Sequence, residues 1–392
     1  MRKVKSWRFQ GNELKYVKQV LDFGFKAGSD GAFTSRLENL FSKIYSQKFA
    51  IAFNSGTSTL HAILLGIDCK DGDEVLVPSL TPLMCGLSIH YTGATPVYVD
   101  VDQETFLMDP VDLESKISHK TKAILVVHMY GAVCDMENIT KIANRFDLPI
   151  IEDCAQCHGG VAANGQLAGT LGIASSWSFE NSKHITSGDG GIVTTNNELL
   201  ATKIRKIGGL GFKTLSAESG RIRTDRDKLQ NPDWERFDTI GYNYRMNQLA
   251  AAVALAQIER NSYFIELRKL SGQKYLEGIS DSKLFVAQKS IFGTQNSYFT
   301  FSTKFNGIDH GISWFDFRKK YIEFGGDGIY SAAKLLYQEP IFKTLKIGKG
   351  TTPVAEYLQK RLMNFTTNQS KLKEINKQVE ILIKTRKYFG DL

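Results

Sequence analysis

Between residues 48 and 196 the sequence alternates short continuous apolar runs with segments of helical spacing, and few folds accommodate that pattern. The runs are Lys48–Phe53, Glu74–Pro78, Thr95–Asp100, Ala123–His128, Pro149–Asp153, Ile173–Phe179 and Ile192–Thr195. Each is of strand length and apolar throughout rather than at every second residue, which predicts strands covered on both faces. Between them, Thr59–Ile67, Leu83–Tyr91, Leu113–Ile117 and Ile139–Phe146 carry apolar residues at helical spacing. Strand and helix in alternation predict an α/β fold with a mainly parallel central sheet covered by helices. In such sheets ligands gather at the carboxyl ends of the strands.

The flanking regions complete the outline. Residues 12–27 read as an amphipathic helix, followed by a turn at Gly28–Gly31 and a second helix through Leu37, Leu40, Phe41, Ile44 and Tyr45. Ala201–Lys206 predicts a helix. Gly208–Asp238 is glycine-rich, charged and aperiodic, and predicts a long, partly mobile loop near the site. Gln248–Arg268 predicts one strong helix. Beyond about residue 260 the character shifts: Phe285–Ala287 and Ser297–Phe305 read as strands, Trp314–Phe324 and Lys371–Lys387 as helices. The expected division is a large α/β domain over 1–255, with an N-terminal helical segment, and a small α+β domain over 256–392. A chain of 392 residues has the length for both.

Composition narrows the function classes. Apolar residues at 42% and charged residues at 23% are ordinary for a globular protein in water. No apolar run reaches the length of a membrane-spanning helix. The basic stretch Met1–Phe9 lacks the apolar core and cleavage site of a signal peptide, so a cytoplasmic location is expected. The net charge of +8 is diffuse, with one mild cluster at Arg221–Lys228, and no nucleic-acid-binding motif accompanies it. That balance suits an enzyme acting on phosphorylated small molecules. Five scattered cysteines suit reduced thiols. Cys154-Ala155-Gln156-Cys157-His158 matches the spacing of a haem-attachment motif, but it follows a buried-strand pattern in mid-chain. No second Cys/His pair at metal-ligand spacing goes with it. It is read as coincidence, and no metal is expected.

Three stretches carry chemistry. Lys183 follows the apolar run Ile173–Phe179 and is surrounded by Ser, Thr and Gly. A lysine at the end of a buried strand loses solvation, its pKa falls, and the neutral amine can condense with a carbonyl; the alternative is an ordinary surface lysine. Asn54-Ser55-Gly56-Thr57-Ser58 joins a strand to a helix, a geometry that presents backbone N–H groups to an anion or serves as a plain N-cap. Asp153 ends a strand and is followed by Gln156. Its carboxylate could bind a metal, act as a base, pair with a protonated ring nitrogen, or cap the next loop.

These stretches, with Glu152–Gly159, Gly188-Asp189-Gly190-Gly191, Gly241-Tyr242-Asn243-Tyr244-Arg245-Met246 and Tyr91–Val97, stand in one order. Together they resemble the DegT/DnrJ/EryC1/StrS family of sugar aminotransferases over at least residues 12–260. The resemblance implies the fold type I architecture of pyridoxal 5'-phosphate (PLP) enzymes and a set of roles. Lys183 would hold PLP as a Schiff base and shuttle a proton between carbons. Asp153 would pair with the pyridinium nitrogen, and Gln156 with the ring hydroxyl. Gly56, Thr57 and Ser178 would hold the phosphate. Asn243 would reach the phosphate of the neighbouring subunit, which implies a homodimer with shared active sites. The implied reaction moves an amino group from L-glutamate to a keto group of a nucleotide-linked sugar, for lipopolysaccharide, capsule or another glycan. The rival readings are another phosphorylated keto substrate, or a non-catalytic binding or regulatory protein on the same scaffold.

Departures from the family pattern are specific. Pro82 stands where a flat side chain usually stacks on the cofactor, Asp189 replaces the usual glutamate of a GEGG run, and Cys154 and Cys157 occupy places usually held by small residues. An LP-containing segment is not evident near Leu362-Met363-Asn364-Phe365. The dehydratase branch has histidine in place of the linking lysine, whereas here the aligned residue is Lys183, with His184 next to it.

Overall fold

The computed structural model describes residues 6–26, 31–220 and 226–391. The sequence-predicted turn at 28–31 and the basic cluster at 221–228 therefore lie largely outside the described residues. Two helices, α1 (Glu13–Asp22) and α2 (Phe33–Ile44), lead into β1 (Phe49–Phe53) and α3 (Gly56–Gly66). Strand and helix then alternate through β2 (Glu74–Pro78), α4 (Leu83–His90), β3 (Thr95–Val99), α5 (Pro110–Ser115), β4 (Thr121–Val127), α6 (Met136–Arg145) and β5 (Ile150–Asp153). The sheet is completed by β6 (Ala174–Ser178) and β7 (Gly191–Thr195), and α7 (Glu198–Gly208) follows. Its strand order is β1-β7-β6-β5-β4-β2-β3. Only β7 runs against the others, so the sheet is mainly parallel, as the unbroken apolar runs predict.

The chain departs from expectation in three places. The helix predicted over Gln248–Arg268 is two helices, α9 (Gln248–Ile258) and α10 (Asn261–Gly278), preceded by the short α8 (Arg226–Gln230). The break falls at Arg260, whose backbone leaves helical geometry while its guanidinium donates to the Arg8 carbonyl. The described part of 208–238 is not featureless: Phe212 bridges to Phe237 and Gly209 to Asn243. The C-terminal part holds β8 (Phe285–Ala287), β9 (Thr300–Phe305), α11 (Trp314–Glu323), β10 (Ile329–Ser331), α12 (Pro340–Leu345), α13 (Pro353–Gln359), β11 (Leu362–Thr366) and α14 (Leu372–Tyr388). The stretch around Leu362 that matched no pattern is an inner strand of a second, antiparallel sheet ordered β10-β11-β9-β8.

Two apolar cores follow from this arrangement. One surrounds the large sheet; the other gathers Tyr275, Phe285, Phe301, Phe317, Phe365 and Leu382 about the small one. The chain between them is shared. Leu335, Phe342, Ala355 and Leu358 return to the first core. Lys349 exchanges backbone hydrogen bonds with β3: its N–H donates to Pro96 O (3.0 Å), and Tyr98 N–H donates to its carbonyl (2.8 Å). That strap satisfies the open edge of the large sheet.

Candidate active site

The carboxyl ends of β2, β4, β5 and β6 open onto a cavity of 510 Å³ between the two sheets, lined among others by Thr81, Pro82, Gln156, Ser182, Arg268 and Phe299. Strand periodicity sorts the two adjacent carboxylates of β5. Asp153, the last residue of the strand, faces this end, and Glu152 points the other way.

Asp153 is almost wholly buried. Its Oδ1 accepts the Ala155 N–H (2.9 Å) and its Oδ2 accepts the Cys85 thiol (3.2 Å). Burial raises its pKa, and the Ala155 N–H, the Cys85 thiol and Lys183 work against that rise. Burial and the neighbouring Asp153 push the Cys85 thiol well up, so it keeps the proton that it donates. Nothing local in the sequence singles out Cys85 for this contact, which is made across 68 positions.

Lys183 lies in the turn after β6. Among the described residues its amine has neither a hydrogen bond nor an ion pair, and it sits 4.9 Å from the centre of the Phe299 ring. Burial lowers its pKa, with Asp153 and Glu180 pulling the other way. The turn is held from outside. Arg8, buried just before α1, donates from Nη1 to the Asn181 carbonyl (2.7 Å) and from Nη2 to the carbonyls of Lys183 (2.6 Å) and His184 (3.2 Å). Sequence reading missed Arg8, because a contact across 175 positions leaves no local pattern.

Gln156 is aimed by its Oε1, which accepts the Tyr130 N–H (3.0 Å), so its amide N–H2 remains free beside the cavity. The first turn of α3 lies against Ser178. A Cβ on Gly56 would stand 2.8 Å from the Ser178 Cβ, so only glycine brings the two this close. Ser55 caps the helix through Ser58 N–H (3.1 Å), while the N–H groups of Gly56 and Thr57 have no acceptor among the described residues. Unpaired N–H groups at a helix start, beside a serine hydroxyl, fit a phosphate. Asn243 is not brought to Lys183 within the chain. It lies exposed by a second cavity lined by Glu38, Arg205 and Tyr244, with its Oδ1 accepting from Arg245 Nε (3.1 Å). Gly208, Gly209, Leu215 and Gly220 line that second cavity too.

Behind the site, Glu152, His128 and Cys154 lie within 4.8 Å of one another. The polar atoms of Glu152 and His128 are already engaged. Glu152 Oε1 accepts the N–H groups of Leu171 (2.7 Å) and Gly172 (2.6 Å), and Oε2 accepts those of Gly169 (2.7 Å) and His128 Nε2 (3.0 Å). His128 Nδ1 accepts the Cys134 N–H, which fixes its proton on Nε2.

His184 points away from the cavity, its Nε2 facing the Ser297 carbonyl (3.2 Å) and its ring packed near His158. Burial, with lesser repulsion from Lys183 and Arg268, drives His158 down to about 3. An unfolded histidine takes up a proton below about 6.5, so the stability that His158 confers is complete above that value. It is lost as pH falls from there toward 3. His158→Asn is expected to reduce the drop in melting temperature between pH 7 and pH 5, and an unchanged drop would count against this source of acid sensitivity.

Fold and site together fit a class: a half-buried lysine without a partner among the described residues, a buried strand-end aspartate and free helix-start N–H groups suit a PLP-dependent aminotransferase. A sequence profile of the DegT/DnrJ/EryC1/StrS aminotransferase family matches residues 8–380, and the chain belongs to that family. It is 37% identical over 285 residues to the GDP-perosamine synthase of Escherichia coli O157:H7, covering 72% of this chain and 73% of that one. It is 41% identical over 257 residues to the GDP-perosamine synthase of Caulobacter vibrioides, covering 66% of this chain and 64% of the other. The aminotransferase structure from Psychrobacter cryohalolentis superposes with a TM-score of 0.86 over 98% of both chains at 26% identity.

Proposed function

We propose that the protein transfers the amino group of L-glutamate to a keto group of a nucleotide-linked sugar, using PLP, and supplies an amino sugar for lipopolysaccharide or capsule synthesis. The observation that carries the chemistry is the unpaired, desolvated amine of Lys183 in the same buried site as Asp153. The likeness to two GDP-perosamine synthases supports the substrate class. A nucleotide-linked substrate would suit a cytoplasmic location, and among the described residues no helix is long and apolar enough to cross a membrane.

PLP supplies a carbonyl for attachment and a conjugated ring that accepts electrons from the reacting carbon. The chain's residues do the rest. Lys183 Nζ would hold the cofactor, and its amine would carry a proton to or from the reacting carbon. Asp153, whose oxygens accept the Ala155 N–H and the Cys85 thiol, would pair with the ring nitrogen and hold a proton there. Gln156 offers its free amide N–H to the ring hydroxyl, and Pro82 covers one side of the cavity. Gly56, Thr57 and Ser178 receive the phosphate. The exposed position of Asn243 suits a role toward the phosphate of a second subunit, and so a homodimer.

Gly56→Ala is expected to weaken PLP binding about tenfold, because relieving the clash with Ser178 opens the cradle. Titration of cofactor-free protein reads this directly, and an affinity within twofold of wild type would remove the phosphate from that place. The function itself is tested by supplying PLP, L-glutamate and GDP-linked keto sugars. Amino-sugar and 2-oxoglutarate in equal amounts are expected. Glutamate-dependent loss of colour with no turnover of any keto sugar nucleotide would reject the acceptor class.

A further inference from the structure

Arg268 of α10 is buried beside the site, and the hydrogen bonding of its guanidinium is incomplete at Nη2. Arg205 pairs with Glu38, Arg386 with Asp281 and Asp391, and Arg8 holds three carbonyls. Arg268 has no carboxylate. Its Nη1 donates to the Phe299 carbonyl (2.7 Å) and Thr367 Oγ1 (3.1 Å), and its Nη2 is buried without a partner. Burial and repulsion from Arg8 bring its pKa down to about 9, with no acidic neighbour working against the fall. A buried cation without a counter-charge is costly unless an anion arrives to complete it.

The surroundings fit an anion as well. Arg268 is the one charged side chain among the described residues that line the 510 Å³ cavity. Thr300 lines the same cavity, and its buried hydroxyl, Oγ1, lacks a partner and can donate to an anion. The Phe299 ring is shared: its centre lies 4.9 Å from Lys183 Nζ and 5.6 Å from the Arg268 guanidinium carbon. The anion is therefore received next to the amine that does the chemistry.

We propose that Arg268, assisted by the Thr300 hydroxyl, binds a carboxylate of the amino donor and so selects an amino acid over a simple amine. This rests on the aminotransferase reading above. A carboxylate is favoured over the diphosphate of a sugar nucleotide by position. In an amino acid the carboxylate is bonded to the reacting carbon, whereas a diphosphate is separated from a keto carbon by part of the sugar ring. The planar guanidinium fork also matches a carboxylate.

The test compares wild type, Arg268→Gln and Arg268→Lys as PLP-loaded enzymes. Loss of visible colour on adding L-glutamate reads the donor half-reaction, and its return on adding keto sugar nucleotide reads the acceptor half-reaction. Arg268→Gln is expected to need roughly 10- to 100-fold more glutamate. It should react with n-butylamine, which has no carboxylate, as wild type does, and the acceptor half-reaction should change little. Arg268→Lys, with the charge but not the fork, should fall between. Calorimetric titration with glutarate, a dicarboxylate with no amine, should give binding to wild type that Arg268→Gln loses. It also serves with Arg268→Lys alone should the glutamine variant not fold. If wild type fails to respond to glutamate, both readings fall together. If wild type responds and Arg268→Gln responds equally, this one alone falls. Selective damage to the acceptor half-reaction would also overturn it, by giving Arg268 to the diphosphate.

Discussion

Lys183→Ala protein is expected to purify folded, to stay colourless when PLP is supplied, and to lose aminotransfer by about 10⁵-fold or more, the scale seen when a covalent catalytic residue is removed. The fold should survive because the Lys183 side chain contributes no hydrogen bond or ion pair; its carbonyl, which Arg8 grips, is untouched. Removing a desolvated amine also relieves a burial cost, so the melting temperature without cofactor should stay level or rise. His184 offers no replacement, since its ring faces Ser297 on the far side of the turn. The absorption spectrum and a turnover assay decide the matter: a variant that keeps both its colour and its activity would transfer the catalytic role to another residue.

The second large effect is on stability and falls one residue before Asp153. Glu152→Ala is expected to unfold the protein or lower its stability by about 2–6 kcal/mol, because two buried donors, at about 1–3 kcal/mol each, and two half-buried ones lose their acceptor. Those donors are the N–H groups of Gly169, Leu171 and Gly172 and the His128 ring. Against a typical total of about 5–15 kcal/mol this is a large share. Urea denaturation measures it. A midpoint close to that of wild type would mean that water or a shifted loop takes over the four bonds. Asp153→Ala, by contrast, should fold and fail mainly in catalysis.

That pair also marks where sequence reading stops. Glu152-Asp153 at the end of an apolar run was legible as a strand end with chemistry, yet only the alternation of the strand, seen in place, assigns one carboxylate to the scaffold and the other to the site. The large sheet was legible because every buried strand is apolar without a break. The inner strand Leu362–Thr366 was not, since a polar Asn364 and its small length blur the pattern. Helical propensity runs unbroken through Glu259-Arg260, so the division of α9 from α10 is a tertiary effect. Lys183, Asp153 and Gln156 declare themselves through local context. Arg8, Cys85 and Arg268 act through partners between 31 and 175 positions away, and no window along the chain contains both ends of such a contact.

The grip of Arg8 on the lysine turn has a bearing on how the protein is made. Arg8 is itself held in place by Gln257 and Arg260, which donate to its carbonyl (2.7 and 3.0 Å). Residue 8 precedes the turn at Lys183 in the chain, and residues 257 and 260 follow both. The segment around Arg8 must therefore wait until residues 257 and 260 have been synthesised. Only then do the beginning, middle and later parts lock together around the reactive amine. The turn that carries Lys183 is thus fully held only once the segment bearing Gln257 and Arg260 has been made.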